Sequence, residues 1–332
     1  MIKVAINGFG RIGRGFFRLA FKHPEIEICA VNDLGDLENL AYLLDFDTVY
    51  GEYEGDVSTK NGKLVVDGKE VLFCQEKDPP MLPWKDLGID VVIESTGIFT
   101  KKAEAEKHIK AGAKRVVISA PSKDAKTILL GINEEELKNN IITNNGSCTT
   151  NAVAPIVNIL SEKIGIKKAI LNTVHAYTAT QSLVDSPADK KDMRRGRAAA
   201  QNIIPSTTGA AIAVTEVVPS LKNLFDGLAL RVPTICGSIA DVTFIASRKT
   251  SKEKVNKILE EASKEARWGG IMKVSKMPLV SSDIIGNTYP SIVDSEFIKV
   301  VDGDLVKVLV WYDNEGGYSW TLLEHVLRAM KI

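Results

Sequence analysis

Apolar positions along the first part of the chain come in short runs, separated by stretches of helical period. Ile2–Ile6 reads as a strand, Arg11–His23 carries Ile12, Phe16, Leu19 and Ala20 at helical spacing, and Ile26–Val31 reads as a second strand. Further strands are expected at Val91–Glu94, Arg115–Ser119, Ile128–Gly131 and Ile141–Thr143, with a Lys/Glu/Ala helix near Lys101–Ala111. Strands alternating with helices imply βαβ units and a mostly parallel, doubly wound α/β sheet. Between Glu52 and Cys74 the period falls to two, and Asn61-Gly62 and Asp67-Gly68 supply turn signals, so a hairpin insertion is predicted there.

After Cys148 the pattern changes. A helix over Thr150–Lys163 leads into a long β run, Lys168–Thr178, and then a charged segment of little periodicity, Ser182–Arg197. Leu228–Val232, Asp241–Ser247 and Leu305–Tyr312 read as strands, and Lys252–Ala266 as an amphipathic helix. Longer strands without regular helical crossovers predict a largely antiparallel α+β second domain. The division expected is 1–147 for the parallel-sheet domain and 148–314 for the second. The final stretch, 315–332, holds a helix (Trp320–Met330) that returns to pack on the first domain.

At 332 residues the chain is long enough for two domains of ordinary size. Lys+Arg equals Asp+Glu at 42 each, so no global field favours nucleic acid or an anionic membrane surface. No stretch reaches the roughly 18 uncharged apolar residues of a membrane span, and MIKVAINGFG lacks the regions of a signal peptide. The four cysteines (Cys29, Cys74, Cys148, Cys236) are scattered with no CxxC, and the four histidines lack HxxxH spacing. The expectation is a cytoplasmic protein with reduced thiols and no metal site.

Gly8-Phe9-Gly10-Arg11-Ile12-Gly13 is GxGxxG between a predicted strand and a predicted helix. Glycine is needed because the turn is tight and the backbone must approach a pyrophosphate, which then meets free N–H groups and a positive dipole end. Asp33 follows at the end of the second strand. A carboxylate there accepts from adenosine ribose hydroxyls and repels a 2′-phosphate, favouring NAD over NADP.

Cys148 lies in the polar turn Asn145-Gly146-Ser147-Cys148-Thr149-Thr150-Asn151, which opens an apolar helix. A helix N-terminus lowers a thiol's pKa, and its N–H groups can hold an oxyanion after attack on a carbonyl. His175, on the strand segment Thr173–Thr178, is placed to pair with the thiol and shuttle a proton. A lone cysteine is more often a small buried hydrophobe, the role that the settings of Cys29, Cys74 and Cys236 suggest. The hydroxyl-rich turn around Cys148 does not suit that role.

Arg231 follows the apolar run Leu228–Leu230, a costly position without an anionic partner. Ser206-Thr207-Thr208-Gly209-Ala210 precedes an apolar helix as a natural phosphate pocket. Of the basic run Arg194, Arg195 and Arg197, at most one should reach a ligand, and periodicity does not choose which. Arg14 and Arg18, one helical turn apart, read as surface or interface residues.

These residues resemble the phosphorylating glyceraldehyde-3-phosphate dehydrogenases, and the likeness runs end to end. Its carriers are Ile6–Arg14, Ser147–Asn151, Thr173–Gln181, Arg197–Ala200, Gly209–Ala211, Arg231–Thr234 and Trp311–Glu315. The resemblance implies NAD as cofactor, a homotetramer, and glyceraldehyde 3-phosphate and inorganic phosphate as substrates. It makes Cys148 the nucleophile and His175 its activating base. Thr178 and Arg231 would hold the substrate phosphate, and Ser147, Thr149, Arg195, Thr208 and Gly209 the attacking phosphate. Gly8, Gly10, Arg11, Ile12, Gly13, Asp33, Lys77, Ser119, Asn314 and Tyr318 would form the cofactor site, with Asn314 on the nicotinamide amide and Tyr318 near the ring. Ser182–Arg197 corresponds to the loop that lines the neighbouring subunit's cofactor site.

The chain departs from that family at several positions. Lys77 stands where relatives often have Arg, and Ala152 where many carry a second cysteine. Gly316 replaces a bulkier residue, so that adjacent glycines would loosen the loop beside the nicotinamide. The stretch Asp185–Arg195 differs in detail. Rival readings are an erythrose-4-phosphate dehydrogenase of the same fold, an NADP-using relative, and an inactive Rossmann scaffold. The intact Cys148/His175/Arg231 set speaks against the last.

Overall fold

A computed structural model describes residues 1–188 and 192–331. The chain forms two compact units, residues 1–146 together with the stretch from Ser319 onward, and Ser147–Tyr318.

The first unit runs β1 (Ile2–Asn7), α1 (Arg11–Ala20), β2 (Ile26–Asn32), α2 (Leu37–Asp45), and a small ribbon of β3 (Phe46–Asp47) and β4 (Gly51–Glu52). It continues with β5 (Val57–Lys60), β6 (Lys63–Val66), β7 (Lys69–Cys74), α3 (Trp84–Leu87), β8 (Val91–Glu94), α4 (Lys102–Lys110), β9 (Arg115–Ile118), β10 (Lys126–Thr127) and β11 (Ile142–Asn144). The main sheet has the order β10-β11-β9-β8-β1-β2-β7-β6-β5, parallel from β10 to β7. Chain connections leave β1 toward β2 on one side and return to β8 on the other, which opens a crevice at the carboxyl ends of β1 and β8.

The predicted insertion is the antiparallel β5-β6-β7 meander. Asn61 and Gly62 have φ of 51° and 74°, and Asp67 and Gly68 have 48° and 74°. Both turns therefore carry the two positive φ values that twist-matched tight hairpins need. The strand expected at Ile128–Gly131 is not formed. The strand there is Lys126–Thr127, and Ile128 instead packs with Leu137 and Ala329. Helix α2 was not anticipated, although Asp36 caps it by accepting from the Asn39 N–H at 2.9 Å. Arg14 is not a surface residue: it is buried, and its Nη1 donates to the Phe9 carbonyl at 2.7 Å.

The second unit runs α5 (Cys148–Lys163), β12 (Ile166–Ala176), β13 (Ile204–Thr207), α6 (Ala210–Val217), β14 (Phe225–Val232), β15 (Ser238–Ala246), α7 (Lys252–Ala262), β16 (Met272–Ser275), β17 (Ser291–Val301), β18 (Leu305–Tyr312) and the start of α8 (Gly316–Ala329). Its sheet has the order β13-β14-β12-β15-β18-β17-β16. The pairs are antiparallel except for β12 with β14 and β16 with β17. The fold is thus an α/β doubly wound unit followed by a largely antiparallel α+β unit.

Gly316 and Gly317 lie in the first turn of α8 rather than in a loosened loop. The Asp313 carboxylate accepts from the backbone N–H groups of Glu315 at 2.9 Å and Gly316 at 2.8 Å, which offsets the poor helix propensity of two glycines. Farther along α8, in the first unit, His325 bonds Thr143 Oγ1 at 2.9 Å and Asn145 Oδ1 at 3.1 Å. No helix among the described residues is long and apolar enough to cross a membrane.

Candidate active site

Strand β11 ends in a polar turn, and Ser147 supplies the N-cap of α5, its Oγ accepting from the Thr150 N–H at 3.0 Å. Cys148 is therefore the first helical residue, with free N–H groups around it. Its Sγ lies 3.3 Å from His175 Nε2. His175 sits near the end of β12, where the parallel register sets it opposite Arg231 on β14.

That register fixes the imidazole's chemistry. Nδ1 lies 2.6 Å from the Ala176 carbonyl, an acceptor that favours the tautomer with its proton on Nδ1. Arg231 Nη1 lies 2.5 Å from Nδ1 and donates to the same carbonyl at 3.0 Å. In that tautomer Nε2 turns its lone pair toward the sulfur, as a base requires. Burial, and then the Arg231 charge, push the His175 pKa down to about 3, so the ring is neutral across the working range.

The thiol differs from the sequence expectation. Cys148 keeps some exposed surface, yet its surroundings are dry enough that burial raises its pKa. The Arg231 charge and the hydrogen bonds of Thr149 act in the opposite direction but do not win. Burial thus favours the uncharged form of both partners, a thiol facing a neutral imidazole. Tyr312 was not foreseen. It lies edge-on to the His175 ring at 5.9 Å, and its buried hydroxyl bonds Thr149 Oγ1 at 2.8 Å and Thr173 Oγ1 at 2.7 Å.

A line of hydroxyls and one guanidinium lies in the same unit. Thr178 Oγ1 bonds Thr180 Oγ1 at 2.9 Å, and Arg195 donates to Ser206 Oγ at 3.2 Å while paired with Asp192 at 2.7 Å. Thr208 Oγ1 accepts from the Ala210 N–H at 3.2 Å, and Gly209 is the N-cap of α6 with open space where a Cβ would stand. Of the charged segment, Arg197 pairs with Asp185 at 2.9 Å, whereas 189–191 lie outside the described residues.

In the first unit Gly8, Gly10, Asp33, Lys77, Ser95 and Thr96 line one cleft of about 730 Å³. Gly8 has φ +96°, and a Cβ there would lie 2.6 Å from the Thr96 nitrogen; one on Gly13 would lie 2.1 Å from the Gly8 carbonyl oxygen. Only glycine fits at these two positions, whereas a Cβ at Gly10 would meet no atom within 4 Å. Asp33 accepts from the N–H groups of Phe9 at 2.6 Å and Gly35 at 2.8 Å, which fixes its carboxylate in the cleft lining. Arg11 is paired with Asp47, Ile12 is half-buried on α1, and the Ser119 N–H donates to the Glu94 carbonyl at 2.9 Å. Asn314 belongs to the second unit, where its Oδ1 accepts from the Gly237 N–H at 3.1 Å and Ser238 Oγ at 3.0 Å. That leaves its Nδ2 as a directed donor. Tyr318 is buried, also in the second unit.

Comparison with known proteins converges on one group. Residues 2–102 match the model of the glyceraldehyde 3-phosphate dehydrogenase NAD binding domain, and 147–314 that of the C-terminal domain. The glyceraldehyde-3-phosphate dehydrogenase of Thermotoga maritima is 51% identical over 336 residues, covering all of both chains. That of Geobacillus stearothermophilus is 47% identical over 326 residues, covering 97% of this chain and 96% of its own. Two matched domains and full-length relatives make this chain a dehydrogenase of the glyceraldehyde-3-phosphate dehydrogenase family.

Proposed function

We propose that the protein oxidises glyceraldehyde 3-phosphate to 1,3-bisphosphoglycerate, using NAD and inorganic phosphate. The observation that supports this most directly is the 3.3 Å contact of Cys148 Sγ with His175 Nε2 beside Arg231. The glycine turn and Asp33 fit a dinucleotide: a Cβ would fill the cradle at Gly8, and a carboxylate at the end of β2 suits ribose hydroxyls and opposes a 2′-phosphate. Lys77 lines the same cleft; by the family likeness Arg11, Ile12 and Ser119 would complete the set, and Asn314 Nδ2 and Tyr318 would serve the nicotinamide.

When bound, the nicotinamide cofactor supplies the acceptor for the hydride lost in the oxidation. The chain's own residues do the rest. His175 Nε2 takes the thiol proton as Cys148 sulfur bonds to the aldehyde carbon, and the proton passes to the carbonyl oxygen to give a hemithioacetal. The N–H groups at the start of α5 stabilise charge on that oxygen. His175 then removes the hydroxyl proton as the carbon is oxidised, leaving a thioester on Cys148. Inorganic phosphate attacks and its proton leaves to solvent, the carbon–sulfur bond breaks, and the sulfur recovers its proton from His175. Phosphate rather than water as acceptor keeps the energy of oxidation in the product, so two anion sites are needed. Arg231 and Thr178 suit the substrate phosphate, and Ser147, Thr149, Arg195, Thr208 and Gly209 the attacking one.

A homotetramer and a cytoplasmic setting belong to the same proposal. Leu183 and Val184, about 70% exposed on the charged segment, suit a loop that is covered by a neighbouring subunit. Light scattering returning a monomer would contradict the tetramer. The activity is tested by Cys148→Ser, which should lose dehydrogenase turnover while still binding dinucleotide.

A further inference from the structure

A buried polar chain starts at Asn7 and Asn32 in the lining of the first unit's cleft and runs away from it. Asn32, Asn7 and Glu94 are direct register partners at the carboxyl ends of β2, β1 and β8, and all three are at most 4% exposed. Asn32 Nδ2 donates to Asn7 Oδ1 at 2.7 Å, and Asn7 Nδ2 donates to Glu94 Oε2 at 2.6 Å. At one end Asn32 Oδ1 accepts from the Glu76 N–H at 2.8 Å, immediately before Lys77. At the other, Glu94 Oε1 accepts from the N–H and hydroxyl of Thr96, at 2.9 and 2.5 Å.

His108, fully buried on α4, completes the set. Trp84 Nε1–H donates to His108 Nδ1 at 3.1 Å, which forces the proton onto Nε2, and Nε2–H donates to Glu94 Oε2 at 3.0 Å. Both oxygens of the Glu94 carboxyl group are thus engaged, with four hydrogen-bonding groups around them in a dry site. Ser95 and Thr96, next to it, lie against the phosphate turn: Ser95 Oγ donates to the Gly8 carbonyl at 2.7 Å.

We propose that Glu94 and His108 are positioning residues for the dinucleotide, tying the Gly8 turn and Thr96 on one wall of the cleft to Glu76 and Lys77 on the other. Neither lines the cleft, so they act through the groups that do. The inference rests on the dinucleotide reading of the cleft.

The test is NAD and NADP binding by calorimetry on the full-length protein, alongside thermal unfolding and the Cys148 alkylation rate. Glu94→Gln places an amide donor against existing donors. It should weaken NAD binding roughly tenfold, the scale of one buried hydrogen bond lost, with alkylation unchanged. His108→Leu should act in the same direction. His108→Gln, which keeps a donor toward Glu94, should restore most of the affinity. Folded Glu94→Gln and His108→Leu proteins with lower melting temperatures but wild-type NAD affinity would overturn the proposal. If Glu94→Gln does not fold, the two His108 variants decide between these outcomes. A wild-type protein that binds neither dinucleotide would instead sink the reading of the cleft itself, and the proposal with it.

Discussion

His175 and Arg231 stand opposite each other on β12 and β14, and the guanidinium Nη1 lies 2.5 Å from the imidazole Nδ1. A permanent cation at that distance disfavours a second positive charge on the ring, and burial acts in the same direction. The pair is therefore built around a neutral base, and the arginine has charge to spare for an anion.

The first prediction concerns that base. His175→Asn should lower kcat roughly 10²- to 10⁴-fold, the usual range for general acid–base catalysis, while leaving dinucleotide binding unchanged. Stopped-flow turnover and NAD titration of the same preparation would check it.

Arg231→Leu addresses the anion. It should reduce kcat/KM for the phosphorylated aldehyde by roughly 100-fold, the worth of a strong charge-assisted contact. For an unphosphorylated aldehyde the loss should be much smaller, and steady-state kinetics on both substrates would read the difference.

Stability should depend on pH through the buried imidazoles. His175 and His325 are both pushed down to about 3, by burial first. Between roughly pH 6.5 and pH 3 the unfolded chain binds protons at these positions that the folded chain does not, so stability falls as pH falls through that window. His325→Asn removes one such group and keeps a donor toward Asn145. Its denaturant-derived stability should fall less steeply from pH 6.5 to pH 4 than that of the wild type, and identical slopes would contradict this.

The fourth prediction is cofactor choice. Asp33→Ala should raise the KM for NAD roughly tenfold and narrow its advantage over NADP, since it removes both a ribose acceptor and a repelling charge. Initial rates with the two cofactors would measure it.

The local chemistry was legible in the sequence wherever a single short segment determines it. Asn61-Gly62 and Asp67-Gly68 announce turns because few residues tolerate positive φ, and Gly8 announces the phosphate turn because nothing larger fits against Thr96. Cys148 and His175 stood out by setting, and the start of α5 and the end of β12 do bring them together. What failed depends on packing between distant segments. The burial of Arg14 follows from how α1 seats on its own turn, and the capture of Ile128 by Leu137 and Ala329 depends on the far end of the chain. The role of Tyr312 as a buried brace for Thr149 on α5 and Thr173 on β12 joins segments more than a hundred residues away in sequence. The thiol was misjudged for a related reason: the helix end is visible in sequence, whereas the loss of solvent that outweighs it is not.

The central claim is acyl transfer from Cys148 to phosphate, and NADH formation from glyceraldehyde 3-phosphate and NAD tests it most directly when run with and without phosphate or arsenate. The account predicts sustained turnover only when one of these anions is present. Sustained turnover at the same rate without either would mean that water accepts the acyl group, contradicting the thioester-to-phosphate mechanism and favouring the erythrose 4-phosphate reading.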